Sequence, residues 1–158
     1  MERGPRDQKM AGRGQETVVD SSVAVKWYSD EQETDKALEL MKGHVNGTRR
    51  LWVTDLLYHE VANGLRYKTS YDEKKLNRAV ANLLRLHLNI WPVDSTIMSS
   101  ASAIAYKGDV TMYDAVPVAL AQLRGTTCIT ADEQTQYRKL KPHGYPIALL
   151  SRAPLGSP

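Results

Sequence analysis

The chain has 158 residues, 42% of them hydrophobic, which suffices to bury one core and predicts a single domain. Its formal charge is +3, and Arg3, Arg6, Lys9 and Arg13 against Glu2 and Asp7 place two of those charges in the first 14 residues, leaving a nearly neutral body. The single cysteine, Cys128, excludes a disulfide framework and a thiolate zinc site, and no apolar stretch reaches membrane-spanning length.

Residues 1–16 are rich in Arg, Gly and charge and lack an apolar period, so they are expected to form a disordered basic tail, an upstream extension or a tag remnant. Without the apolar core of a secretory leader, a cytoplasmic protein is expected. Residues 17–150 then alternate in pattern. Thr17, Val18 and Val19 predict a buried strand ending at Asp20, and Ala37, Leu38 and Met41 predict a helix over 35–41. A second strand covers 51–53, followed by a helix with Leu57, Val61 and Leu65 on one stripe and Thr54 or Asp55 as its cap. The most periodic segment is 72–88, where Leu76, Ala79, Val80, Leu83 and Leu84 mark one face and His87 falls at its margin. Pro92 makes the strand at 90–93 a sheet edge. A helix over 95–107 turns Ile97, Met98, Ala101, Ile104 and Ala105 inward, and another over 114–124 stops at Gly125. A strand at 126–130, a helix at 132–140 and a strand at 145–150 complete the domain, and residues 151–158 are expected to trail off as a flexible tail. Such alternation predicts an α/β fold with a mostly parallel sheet covered on both faces. Cys128 reads as a buried, inert thiol, and Trp27, Trp52 and Trp91 as core.

Four acids, Asp20, Glu60, Asp114 and Asp132, fall where a predicted strand gives way to a helix, or in a helix beside such a point. In a parallel sheet those points share the edge where α/β folds bind ligands. Two carboxylates about 4 Å apart at an effective dielectric near 20 repel by roughly 4 kcal/mol. Gathering four demands raised pKa values or a divalent cation, and oxygen ligands of this hardness favour the cation. Each acid also has a plain reading. Asp20 and Asp132 are placed to cap helices, although Ser22 is available to cap in place of Asp20. Glu60 alone reads as a solvated helical glutamate, but Gly64, one turn on, marks a close approach. Pro117 belongs in a first helical turn and so predicts a helix start near Asp114. Asp55 and Asp94 read as caps and Asp109 as a loop acid.

The run Val18-Val19-Asp20-Ser21-Ser22-Val23-Ala24-Val25-Lys26-Trp27 resembles the opening of PIN-domain ribonucleases of the VapC toxin family. Glu60-Val61-Ala62-Asn63-Gly64-Leu65 is similar to that family's Glu-x-x-Asn-x-Leu helix. Tyr113-Asp114-Ala115 and Thr130-Ala131-Asp132 are similar to its third and fourth acidic motifs, in the same order. Pro117 and Val118 depart from the Tyr-Leu pair common there. The resemblance spans roughly residues 17–150 and implies a PIN-like α/β/α sandwich with a five-stranded sheet of order 3-2-1-4-5. It also implies Mg²⁺ or Mn²⁺ held by Asp20, Glu60, Asp114 and Asp132, with Asp20 and Asp114 closest to the metal, and hydrolysis of RNA phosphodiesters. Ser22, Asn63 and Thr130 are the expected supporting residues, and a homodimer silenced by a VapB-like antitoxin is the implied assembly.

Lys26, Arg66 and Arg124 are candidates to meet an RNA backbone, against the plainer reading of solvated cations. His59 points about 100° away from Glu60 on a helix and is not a ligand. A receiver domain would need an acidic pair after the first strand and a lysine after the last, and neither is present. The competing reading is a non-catalytic PIN-fold RNA-binding or scaffold protein, although such proteins tend to lose one of the acids, and all four are here.

Overall fold

The computed structural model describes residues 14–155. Their five strands, β1 (Gln15–Val19), β2 (Arg49–Thr54), β3 (Asn89–Trp91), β4 (Cys128–Thr130) and β5 (Ile147–Leu149), form one sheet in the order β3-β2-β1-β4-β5. All four pairings are parallel. The period of two along each strand divides the core between the two faces. Val18, Cys128 and Ile147 point to one side, and Val19, Leu51, Val53 and Ile129 to the other. Helices α1 (Ser21–Ala24), α2 (Thr34–Val45), α3 (Leu56–Arg66) and α4 (Glu73–Arg85) contribute to the second side. Helices α5 (Ser95–Gly108), α6 (Met112–Arg124) and α7 (Arg138–Leu140) cover the first. The α/β/α sandwich and the 3-2-1-4-5 order match the expectation, with the Pro92 strand at the edge.

Several local expectations are corrected. The basic tail was expected to extend to residue 16, but Gln15 and Glu16 belong to β1, where Glu16 accepts a two-nitrogen clasp from Arg124. Residues 1–13, the rest of that tail, lie outside the described residues, as do 156–158. The C-terminal tail is anchored at its start, where Ser151 O accepts from Lys36 Nζ at 2.5 Å and Leu155 packs on the core. The buried stripe of α4 is narrower than its sequence pattern, leaving Leu84 55% exposed. The chain leaves α4 through a positive φ of 49° at His87, which carries that residue out to solvent rather than to the core margin. Met98, expected to face inward, is 42% exposed.

Helix α6 begins at Met112, because Thr111 Oγ1 caps it by accepting from Asp114 N at 3.1 Å. Pro117 therefore sits in the second turn and is buried there, rather than marking the first turn. The helix expected over 132–140 opens as a π turn, Glu133–Tyr137, in which Tyr137 N donates to Asp132 O at 3.0 Å. Gly108 ends α5 under Leu140 of α7, where a Cβ would stand 2.3 Å from Leu140 Cδ2. No described helix is long and apolar enough to cross a membrane.

Candidate active site

The order reversal of the sheet falls between β1 and β4, and the acids gather at the C-terminal ends of these strands. Asp20 follows β1 directly and donates its N–H to Ile129 O of β4 at 3.0 Å. Its Oδ2 accepts from Ser22 N at 3.0 Å and from Ser22 Oγ at 2.5 Å. Asp20 is thus itself the cap of α1, and Ser22, at the second helical position, is its partner rather than a replacement. The residue is 6% exposed, and this burial pushes its carboxyl pKa up, with repulsion from Asp132 adding to the rise.

Glu60 projects from the middle of α3 toward α1, where Ser21 Oγ donates to its Oε2 at 3.2 Å. The close approach read from Gly64 is real: a Cβ there would lie 3.2 Å from Val25 Cγ2. Burial raises the Glu60 carboxyl to about 7, and the nearby charges of Asp20 and Asp114 push in the same direction. Asp114, in the first turn of α6, is also raised by burial and then by Asp20 and Asp132. Asp132 caps the π turn, accepting from Thr135 N at 2.9 Å and from Thr135 Oγ1. Asp20, Glu60 and Asp114 are therefore each raised in part by the charge of another acid of the rim.

They do not form a ready-made ligand shell. Among the described residues, no three acidic, histidine or cysteine side chains stand close enough to hold a metal ion. The reason is local. Capping bonds turn Asp20 toward Ser22 and Asp132 toward Thr135. The donor chemistry nonetheless fits a hard divalent cation, since every donor is a carboxylate oxygen and three of the four resist ionisation where they stand.

A polar seam holds the rim together. Thr130 Oγ1 donates to Gln136 Oε1 at 2.5 Å, accepts from Asp132 N at 3.0 Å and lies 3.2 Å from Ser22 Oγ. Ser22 Oγ also accepts from Ala131 N at 3.0 Å. Gln136, fully buried, donates through Nε2 to Asp114 O at 2.9 Å and to Asp20 Oδ1 at 3.4 Å. It ties β1, α6 and the π turn to one another, and it was not among the sequence candidates. The available signal was its position four residues before the buried Leu140, on the inward side of the last helix. Ser21 was missed as well, while Ser22 and Thr130 lie in the seam.

Other candidates lie elsewhere. Asn63 is exposed, and Glu60 is held by Ser21 rather than by Asn63. Lys26 is turned to Glu31 and to Gln32 O. Arg124 lies toward the opposite edge of the sheet, clasping Glu16 with its guanidinium carbon 3.8 Å from the Trp52 ring centre. Asp55 begins α3 but turns its carboxylate to Val93 N at 3.1 Å instead of capping.

A parallel sheet of this order with an acid-lined rim at its β1–β4 crevice defines an α/β/α domain with its ligand edge at that crevice. The PIN domain family model matches residues 17–140, and the chain belongs to that family, whose VapC members are nucleases. Solved structures share the fold. FitAcB from Neisseria gonorrhoeae superposes with a TM-score of 0.64 at 14% identity, covering 87% of this chain and 99% of that one. The Mycobacterium tuberculosis VapC20, described as a sarcin–ricin loop cleaving toxin, gives 0.62 at 14% identity, covering 82% and 95%. A toxin–antitoxin complex from Klebsiella pneumoniae gives 0.55 at 20% identity, covering 75% and 88%. No curated protein matches the sequence.

Proposed function

We propose that this protein is a ribonuclease dependent on Mg²⁺ or Mn²⁺ and the toxin of a VapBC-type pair. The observation that carries the reading is the gathering of Asp20, Asp114 and Asp132 around the C-terminal ends of β1 and β4, joined through Gln136 and Thr130, with Glu60 brought to Ser21 beside them. Such a site binds a divalent cation as its acids ionise. Asp20 and Asp114 would hold it most closely, and Glu60 and Asp132 would support it. When bound, the cation would supply Lewis-acid stabilisation of the phosphate's developing charge and lower the pKa of water. The chain's own part is positional. Ser22 fixes Asp20, and Gln136 and Thr130 hold Asp20, Asp114 and the turn at Asp132 in register. Ser21 engages Oε2 of Glu60, which leaves Oε1 unengaged among the described residues.

The partner reading draws on neighbours described as toxin–antitoxin complexes, including VapBC-1 from Haemophilus influenzae. An antitoxin of VapB type covering the acidic rim, a homodimeric toxin and a cytoplasmic site of action complete the proposal. Fluorogenic RNA incubated with Mn²⁺, with EDTA, and with the Asp20→Asn variant tests it. Cleavage is expected with Mn²⁺ alone and lost in EDTA, and the variant is expected to fall at least ~100-fold. Cleavage persisting under both changes removes the metal-nuclease reading, and RNA binding without cleavage favours a non-catalytic scaffold.

A further inference from the structure

The outer face of α3, beside Glu60, has no role in the site described above. With Leu57, Val61 and Leu65 buried on the inner side, His59, Asn63, Arg66 and Tyr67 are exposed on the outer one. At 100° per residue, Asn63 and Tyr67 lie within about 60° of Glu60, so the carboxylate borders this ridge. Glu60 is the only acid on it. Arg66 pairs with no carboxylate among the described residues, and its guanidinium carbon lies 5.2 Å from the ring centre of Tyr67. Tyr67 itself is 75% exposed. A cation beside an open aromatic ring is the pairing by which proteins hold single-stranded nucleic acid, the cation taking the backbone and the ring a base. Seven residues of helix carry Tyr67 about 10 Å from Glu60. That distance spans about three stacked nucleotides at ~3.4 Å each.

We propose that the outer face of α3 is the track of the RNA strand as it leaves the acidic rim. In this arrangement Tyr67 stacks a base about three nucleotides from the cleaved bond, Arg66 engages the adjoining phosphate, and Asn63 lies between them. This rests on the ribonuclease reading for the identity of the strand, and the charge and the ring favour RNA over a protein partner on this face.

The test measures fluorescence anisotropy of a labelled single-stranded RNA in EDTA, so that binding is read without cleavage. It compares wild type with Tyr67→Ala, Tyr67→Phe, Arg66→Ala and, as a control, Tyr106→Ala, a 92% exposed tyrosine on α5. Tyr67→Ala and Arg66→Ala are each expected to weaken binding about tenfold, while Tyr67→Phe, which keeps the ring, and Tyr106→Ala bind like wild type. Arg66→Ala is also expected to lower the slope of log affinity against log salt by about 0.7. With Mn²⁺ present, the two weakened variants raise KM for RNA with little change in kcat. Wild-type affinity in Tyr67→Ala and Arg66→Ala overturns the track, as does an equal loss in Tyr106→Ala. So does an effect confined to association with a protein partner. Absence of Mn²⁺-dependent cleavage by the wild type is a separate result: it removes the nuclease reading and leaves the anisotropy arm to decide the track.

Discussion

Glu60 is held in a position that disfavours its own charge. Its ordinary value of 4.5 rises to about 7 because α3 presents it, half-buried, to Asp20 and Asp114. Between those two values the folded state binds more protons than the unfolded one, so this group costs stability as pH rises through the window, with the full cost present above about 7. Asp20 and Asp114 shift in the same direction. In EDTA, the Tm of the wild type should therefore fall on going from about pH 5 to about pH 8, and Glu60→Gln should make that fall shallower. Mn²⁺ should recover the loss at the alkaline end, because the cation binds the ionised carboxylates. Differential scanning fluorimetry across the range reads all three, and parallel slopes for the two proteins would deny Glu60 this role. Asp20, Asp114 and Asp132 were legible because they stand where a strand ends or a helix begins, and Glu60, in mid-helix, through Gly64 one turn on and the motif around it. Gln136 and Ser21 were not, since an amide or hydroxyl becomes a site residue only through partners distant in the chain.

Helix boundaries show how capping chemistry can overrule a proline. Pro117 suggested a start near Asp114, whereas Thr111-Met112-Tyr113-Asp114 already holds the Thr-x-x-Asp spacing of a capping box. The cap won, and the proline is carried in the second turn with one amide bond forgone. The π turn at Glu133–Tyr137 was not legible, because its extra residue answers to Gln136 being drawn inward between Thr130 and Asp114. The tight crossing of α5 and α7 is an element-level contact of the same kind. Replacing Gly108 with Ala sets a Cβ 2.3 Å from the fully buried Leu140 side chain, in a place with no slack. We expect Gly108→Ala to lose about 1–3 kcal/mol in urea denaturation, against a gain in helix propensity of at most about 1. A neutral or stabilising result would mean that α7 moves freely against α5.

Across the whole molecule, the acidic rim and an ion-pair cluster lie at opposite ends of the strands. The acids stand at the C-terminal rim, while Glu16, near the start of β1, is clasped by Arg124 and also meets Arg50 at 3.5 Å. Arg124 caps this arrangement over Trp52, whose ring lies 6.4 Å from that of Trp91. Arg124→Ala should cost about 1–3 kcal/mol of stability by urea titration and leave RNA cleavage at its wild-type rate. A selective loss of RNA binding in that variant would restore the backbone-contact role first considered for it. The parallel sheet was readable from strand–helix alternation and one of its edges from Pro92, while the strand order followed only from the resemblance to PIN domains. The inward limit of the tail was not, because Glu16 earns its place in β1 through an ion pair with a residue 108 positions away.

Cys128 has a practical consequence. It lies wholly enclosed in β4, between Val18 and Ile147, with its ionisation suppressed by burial and by the field of Asp20. An alkylating reagent can meet the thiolate only while the sheet is open, so the rate of labelling becomes a native clock for that opening. Because β4 also carries the rim, any ion that clamps the acids should slow the clock. Occupancy could then be followed through a single sulfur atom, without RNA and without an added reporter.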